Sequence, residues 1–246
     1  MALSIYSSLQ QDSRASRKKF AVLIDSDKYT PDSLKRVAEL AVKAGASYFL
    51  FGGSLLTTDS QGEFIAWIKE HTDIPVILFP GNSMQLNNAA DGILLLSLIS
   101  GRNPELLIGR HVLSAPFLKA SNLEIIPTGY MLIESGRMTS VAYMSGTTPI
   151  PSDKEEIAVC TAMAGEMLGL RMIYLDAGSG AQRPVPASMI RQVKQHIDVP
   201  LVIGGGITTA AQAKEALDAG ADLIVIGNAI EKDPAVILQI AGAVNR

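Results

Sequence analysis

The sequence predicts an α/β protein whose eight parallel strands and intervening helices close into a (β/α)8 TIM barrel. Eight short runs rich in leucine and β-branched residues alternate with longer segments in which apolar residues recur every three or four positions. Most of these runs are apolar at nearly every position, which is typical of parallel strands buried on both faces. The length of 246 residues is close to the roughly 250 of a typical barrel. We therefore expect a single domain over residues 1–246, and an open doubly wound sheet is the structural alternative.

The predicted strands and helices alternate in order along the chain. Strands are predicted at residues 20–24, 48–51, 76–79, 93–96, 124–127, 172–175, 201–203 and 223–226. Helices are predicted at residues 31–44, 61–71, 104–119, 153–168, 187–196, 210–219 and 234–244. The third connection, residues 81–91, is the exception because it is short, rich in asparagine and followed by Gly92. We expect its helix to be short or replaced by irregular structure.

The composition excludes several classes of protein. With 21 basic and 24 acidic residues, a formal net charge of −3 offers no basic field for nucleic acid. The apolar runs are far shorter than the roughly 18 residues that span a membrane, and the polar N-terminal stretch does not resemble a secretory signal. We therefore expect a soluble, cytoplasmic protein. Cys160 is the only cysteine in the sequence, which excludes an intramolecular disulfide and a cysteine-based zinc cluster.

Small residues follow three consecutive predicted strands, where a barrel of this kind forms its active face. Strand seven ends in the triplet 204–206, all glycine, strand eight in Gly227 and Asn228, and strand six in the segment 176–181, sequence DAGSGA. Glycine lets the backbone approach an anion closely, and the first N–H groups of a helix are unpaired donors. These loops commonly hold phosphate in such barrels. A tight strand-to-helix turn is the alternative for each loop taken alone.

Polar residues also follow the first two predicted strands. Asp25, Asp27 and Lys28 come after strand one, which we expect to lie across the barrel from the phosphate loops. A carboxylate there could hold Mg²⁺, which usually completes its coordination with phosphate oxygens and water, and Lys28 could pair with the same anion. Ser54, after strand two, could lie next to the metal or the phosphate. Alternatively, Asp25 caps the following helical turn.

Together these segments resemble the geranylgeranylglyceryl phosphate synthase family, which includes the heptaprenylglyceryl phosphate synthases. The resemblance rests on residues 23–28, 51–54, 174–180, 204–207 and 227–228, sequences LIDSDK, FGGS, YLDAGSG, GGGI and GN, and it spans nearly the whole chain. It implies a Mg²⁺-dependent prenyltransferase that joins sn-glycerol 1-phosphate to a polyprenyl diphosphate through an ether bond and releases diphosphate. Geranylgeranyl diphosphate is the expected donor. It also implies a barrel whose third helix is lost or replaced, and assembly into dimers or hexamers.

The resemblance assigns roles position by position. Asp25 and Ser54 would bind the metal. The residues that would surround the glycerol phosphate are Tyr174, Leu175, Asp176, Ala177, Gly178, Ser179, Gly180, Gly205, Gly206, Gly227 and Asn228. Many family members carry glutamate at the position of Asp176, and that carboxylate is thought to receive the proton of the attacking hydroxyl. Aspartate is one methylene shorter, so Asp176 would act directly, through a water, or only by orienting the hydroxyl.

The residue types also suit this chemistry. Breaking an allylic C–O bond builds negative charge on the departing diphosphate, which a metal on Asp25 and the cation of Lys28 would stabilise. A prenyl tail needs an apolar groove, for which residues 130–133 after strand five are candidates. Tyr130 would contact the tail or the glycerol phosphate, whereas core packing is the alternative for this segment. A lipid product also suggests peripheral contact with a membrane.

Two other functions stay open at this stage. A phosphosugar isomerase or lyase could use the same phosphate loops, with Asp25 and Asp176 as an acid and base pair. A lyase that works through a Schiff base needs an inward-facing lysine, for which Lys28 is the candidate. A catalytically silent binder of a phosphorylated ligand, or an assembly subunit, is the other alternative.

Overall fold

The strands of the computed structural model, which describes residues 4–53, 60–82 and 85–244, close into one barrel. Each strand pairs in parallel with its neighbours, and β1 pairs with β8, for example Val22 with Ile226. The prediction of a (β/α)8 barrel is confirmed. The strands are β1 (Lys19–Ile24), β2 (Tyr48–Phe51), β3 (Val76–Leu78), β4 (Gly92–Leu98), β5 (Glu124–Leu132), β6 (Met172–Asp176), β7 (Leu201–Gly204) and β8 (Leu223–Ile226).

Helices surround the barrel, and seven of them correspond to the predicted ones with differences at their ends. The helices are α1 (Ile5–Arg14), α2 (Pro31–Ala44), α3 (Gln61–His71), α4 (Arg110–Ala120), α5 (Ser140–Ser145), α6 (Glu155–Met167), α7 (Ala187–Lys194), α8 (Ala210–Asp218), α9 (Asn228–Lys232) and α10 (Val236–Val244). A π-helical turn, Glu105–Gly109, leads into α4. The sequence prediction missed α1, α5 and α9. None of the described helices is long and apolar enough to cross a membrane.

The third connection contains no helix within its described residues, 79–82 and 85–91, as predicted. The side chain of Gln85 is buried there and holds the segment in place. Its Nε2 donates to the carbonyl of Gly53, and its Oε1 accepts from the N–H of Gly81 at 2.9 Å. The end of β2 is thereby tied to the segment that replaces the third helix.

Strand residues alternate between two apolar layers because successive side chains point to opposite faces. Phe49 and Phe51 of β2 pack against the helices, while Leu50 points into the barrel with Tyr130 and Val225. Leu9 of α1 joins this inner layer. The interior is therefore filled with side chains, and polar groups lie where the strands end.

Strand five is longer than predicted, so the expectation that residues 131–133 form a groove wall beyond it is wrong. β5 runs to Leu132 instead of residue 127 and pairs along its length with β4 and β6. All of residues 130–133 are buried, and Met131 and Ile133 belong to the layer beneath the helices. Tyr130 lines the apolar cavity described below.

Candidate active site

The loops after β6 and β8 are joined by one side chain at the carboxyl end of the barrel. Asn228 Oδ1 accepts from Ser179 Oγ at 3.1 Å and from the N–H of Gly180 at 3.0 Å. Ser179 and Gly180 are exposed, and Asn228 is half-buried. The structure thus brings these sequence-predicted residues together, with two of their donors bound to Asn228.

The glycine triplet after β7 allows this loop to pack tightly against the loop after β6. Gly205 has a φ of 76°, and a Cβ there would lie 2.5 Å from the nitrogen of Gly178 and 2.6 Å from Oδ1 of Asp176. Gly206 has a φ of 73°, and a Cβ there would lie 2.8 Å from the nitrogen of Pro184. Glycine is therefore needed for contact between loops. The loops after β6, β7 and β8 form one cluster, which we call the loop cluster.

Side chains alternate between the two faces of β6, and this alternation corrects the predicted substrate contacts of Leu175 and Ala177. Tyr174 packs in the inner apolar layer of the barrel, whereas Leu175 and Ala177 belong to the layer beneath the helices. Both side chains are buried there and do not face the site. The N–H of Ala177 donates to the carbonyl of Gly204 at 3.0 Å, so this backbone group is already paired.

Asp176 is the buried carboxylate of the loop cluster, with an exposed fraction of 7%. Its Oδ2 accepts from the hydroxyl of Tyr130 at 2.5 Å, and its Oδ1 accepts from the N–H of Gly178 at 2.6 Å. Burial raises the pKa of Asp176, and the two hydrogen bonds partly oppose that shift. The carboxylate is therefore a better proton acceptor than an exposed aspartate.

Three aromatic rings meet beside Asp176. Tyr130 lies edge-on to Tyr174, with ring centroids 5.5 Å apart, and edge-on to Phe79 at 5.8 Å. Phe79 and Tyr174 are stacked at 5.3 Å. Burial, reinforced by the charge of Asp176, raises the pKa of both tyrosines well above its usual value, so both phenols stay protonated. Sequence reasoning missed Phe79 as a site residue because it looks like an ordinary strand residue.

Asp25 lies at the end of β1, next to β8 because the barrel closes there. We expected Asp25 to face the phosphate loops from across the barrel. For the loop after β8 this is wrong, because β1 and β8 are neighbouring strands. Its half-buried carboxylate accepts from the N–H of Asp27 at 3.3 Å, which is the capping contact considered as the alternative. A Cβ on Gly53 would lie 3.0 Å from this carboxylate. Lys28 is exposed in the turn after Asp25, and Ser54 lies outside the described residues.

The charges around Asp25 affect whether its carboxylate can bind a metal cation. Burial raises the pKa of Asp25; the N–H of Asp27 and the charge of Lys28 oppose this, while the charges of Asp27 and Glu231 add to it. Within the described ranges, no group of three or more His, Cys, Asp or Glu side chains is placed to hold a metal. Asp25 is one carboxylate at a strand end. This arrangement fits Mg²⁺, which proteins usually bind with one or two carboxylates together with substrate phosphates.

An apolar cavity of about 320 Å³ lies between the helix-free third connection and α4. Its lining includes Phe79, Leu94, Leu106, Leu118, Tyr130 and Met144. Gly53 also lines it, beside Asp25, and the hydroxyl of Tyr130 is bonded to Asp176. The cavity is therefore lined by a direct neighbour of each candidate carboxylate. The missing third helix is the one sequence feature that could have indicated this cavity.

Comparison with known proteins agrees with this geometry. Residues 13–244 match the PcrB family. The geranylgeranylglyceryl phosphate synthase of Spirosoma linguale is 54% identical over 228 residues, covering 93% of this chain and 92% of the relative. That of Chitinophaga pinensis is 51% identical, with coverage of 98% and 96%. The crystal structure of (S)-3-O-geranylgeranylglyceryl phosphate synthase from Thermoplasma acidophilum with its substrate sn-glycerol-1-phosphate is 34% identical, with a TM-score of 0.92 and 99% of each chain covered.

Proposed function

This chain belongs to the PcrB family, and from that premise we propose that it is a prenyltransferase acting on glycerol phosphate. It joins sn-glycerol 1-phosphate to a polyprenyl diphosphate, with geranylgeranyl diphosphate as the expected donor. An ether bond forms and diphosphate leaves. The observation that carries the proposal is that one apolar cavity is lined both by Gly53, the neighbour of Asp25, and by Tyr130, which is bonded to Asp176. The names of the similar proteins support the same activity.

The acceptor binds at the loop cluster in this proposal. The backbone N–H groups of Gly205, Gly206 and Gly227 would bind its phosphate, and Ser179, Gly180 and Asn228 are joined by hydrogen bonds in the same cluster. The phosphate serves as a handle that does not react. Binding energy from this handle fixes the acceptor hydroxyl next to the allylic carbon, which lowers the entropic part of the barrier.

The donor places its prenyl tail in the apolar cavity and its diphosphate near Asp25. Met144 lines the cavity and is also 52% exposed, so the cavity reaches the surface at α5. A tail that extends past this point would meet a lipid surface, which supports peripheral membrane contact. Exposed apolar side chains on α4, such as Phe117 at 71%, favour assembly into a dimer or hexamer. Cytoplasmic location remains our expectation.

The departing diphosphate needs positive charge as its C–O bond breaks. Mg²⁺ held by Asp25, with Ser54 as the second expected ligand, would supply most of that charge when bound. Lys28, exposed three residues after Asp25, adds a flexible cation on the same side. Asp176 receives the proton that the acceptor hydroxyl loses, and its burial makes it a suitable acceptor.

The proposal is tested by product formation. Purified protein with Mg²⁺, radiolabelled sn-glycerol 1-phosphate and geranylgeranyl diphosphate should give a product that extracts into organic solvent. We expect Asp25→Asn to lower kcat/KM by about 10²–10³-fold, since the lost charge acts on the transition state. Asp218→Asn, which removes an exposed carboxylate at the far end of α8, is the matched control and should leave activity unchanged.

Two results would contradict the proposal. One is the absence of extractable product with prenyl diphosphates of every length tried. The other is full activity of Asp25→Asn at saturating Mg²⁺, because the site would then not need the carboxylate.

A further inference from the structure

We infer that Tyr130 meets the acceptor hydroxyl and passes its proton on to Asp176. This inference rests on the proposed function, and it names the group that contacts the reacting oxygen. In a direct mechanism, by contrast, the carboxylate itself would accept the proton from the acceptor. The structure favours the relay through the crowding around the carboxylate and the position of the phenol in the cavity lining.

Each oxygen of Asp176 already accepts one hydrogen bond. Oδ2 holds the hydroxyl of Tyr130, and Oδ1 holds the N–H of Gly178. Gly205 also closes against Oδ1, since a Cβ at that glycine would lie 2.6 Å from it. Tyr130 is buried to a similar degree, with exposed fractions of 6% for Tyr130 and 7% for Asp176, but Tyr130 lines the apolar cavity and Asp176 does not.

The phenol of Tyr130 lies where the two substrates would meet. Its side chain lines the apolar cavity, and its oxygen reaches into the loop cluster through Asp176. Contacts with the rings of Phe79 and Tyr174 hold it in that position. A phenol oxygen donates one hydrogen bond and still has a lone pair to accept another. The Tyr130 hydroxyl already donates its hydrogen bond to Asp176, so the acceptor hydroxyl would donate to the phenol oxygen.

The transfer balances in protons and electrons. The acceptor oxygen forms its bond to the allylic carbon while the bond from that carbon to the diphosphate breaks, and the electron pair leaves on the diphosphate. The acceptor proton moves to the Tyr130 oxygen as the phenol proton moves to Asp176 Oδ2. Tyr130 is neutral before and after, and Asp176 ends as a carboxylic acid that later releases its proton to water.

Substitution of Tyr130 distinguishes the relay mechanism from direct proton transfer to Asp176. We expect Tyr130→Phe to lower kcat by about 10²–10⁴-fold, the usual contribution of a positioned proton acceptor, with a change in KM for sn-glycerol 1-phosphate of less than about threefold. Asp176→Glu in the Tyr130→Phe background should restore at least about tenfold of that loss. The glutamate carboxylate is one methylene longer and extends toward the space that the phenol oxygen leaves.

A matched control tests whether the loss comes only from removing a buried phenol. Tyr48 also points into the barrel, but it is the first residue of β2, at the opposite end from the loops. Tyr48→Phe should therefore keep wild-type kcat. Circular dichroism and thermal unfolding of each variant establish that it is folded before its kinetics are compared.

The outcomes are distinct. If wild-type protein makes product and Tyr130→Phe keeps kcat within about threefold of it, the relay is overturned while the proposed function stands. A loss that Asp176→Glu does not restore also overturns the relay, because Tyr130 would then act by packing. If wild-type protein makes no product, the proposed function and the relay fall together.

Discussion

At the residue scale, the contact between Tyr130 and Asp176 carries most of the chemical argument. The two residues are 46 positions apart and come from neighbouring strands, at the register where Leu132 pairs with Asp176. The sequence showed each residue as a candidate but gave no sign of the bond between them. The bond was not predicted because the predicted end of β5, at residue 127, left Tyr130 outside the barrel.

The pH dependence of the reaction follows from the pKa of Asp176. Activity requires its ionised form, so activity is present above that pKa and is lost as pH falls through it. Since burial raises the pKa, we expect the acid limb of kcat to lie above the usual range of an aspartate. Tyr130→Phe removes a hydrogen bond that lowers this pKa, so the limb of its residual activity should move to higher pH.

Steady-state kcat measured from about pH 4 to 8 follows the acid limbs of the wild-type enzyme and of Tyr130→Phe, because this range begins near the ordinary aspartate pKa. A variant limb that coincides with the wild-type limb, or moves to lower pH, would mean that Asp176 is not the group that titrates. The Tyr48→Phe control should reproduce the wild-type curve, since Tyr48 lies at the other end of its barrel.

At the element scale, the apolar periodicity predicted the eight strands and the bounds of α2 and α3. It missed α1 because the sequence IYSSLQQDSR is mostly polar, with Leu9 as the side chain buried in the barrel. The position of this helix depends on tertiary contacts. Glu124 of β5 accepts from the N–H of Ile5 at 2.6 Å and from that of Tyr6 at 2.9 Å, which pairs two of its free first-turn donors.

The docking of α1 leads to a prediction about stability. Glu124→Ala removes both charge-assisted hydrogen bonds and should lower the free energy of unfolding by about 1–2 kcal/mol. Catalysis should be unchanged because Glu124 begins β5, away from the loops. Urea unfolding followed by circular dichroism measures the change. Glu39→Ala, at an exposed position on α2, is the control, and equal stability of the two variants would contradict the docking role.

At the scale of the whole molecule, closure of the barrel makes one site out of distant segments. β1 pairs with β8, so Asp25 lies next to the loop that carries Asn228, and the Asn228 side chain joins that loop to the one after β6. The missing third helix leaves the apolar cavity on the side of β3 and β4. The sequence predicted the missing helix but not the cavity, whose walls come from α4, α5, the π-helical turn, β4, β5 and the segments after β2 and β3.

The central claim is that the cavity and the loop cluster form a single site for two substrates. A crystal structure with sn-glycerol 1-phosphate, Mg²⁺ and a prenyl thiodiphosphate that cannot be cleaved tests it most directly. We expect the glycerol phosphate at the loop cluster, the tail in the cavity against Phe79 and Leu94, and the acceptor hydroxyl about 3 Å from the Tyr130 oxygen. A tail bound outside the cavity, or a glycerol phosphate away from these loops, would contradict the claim.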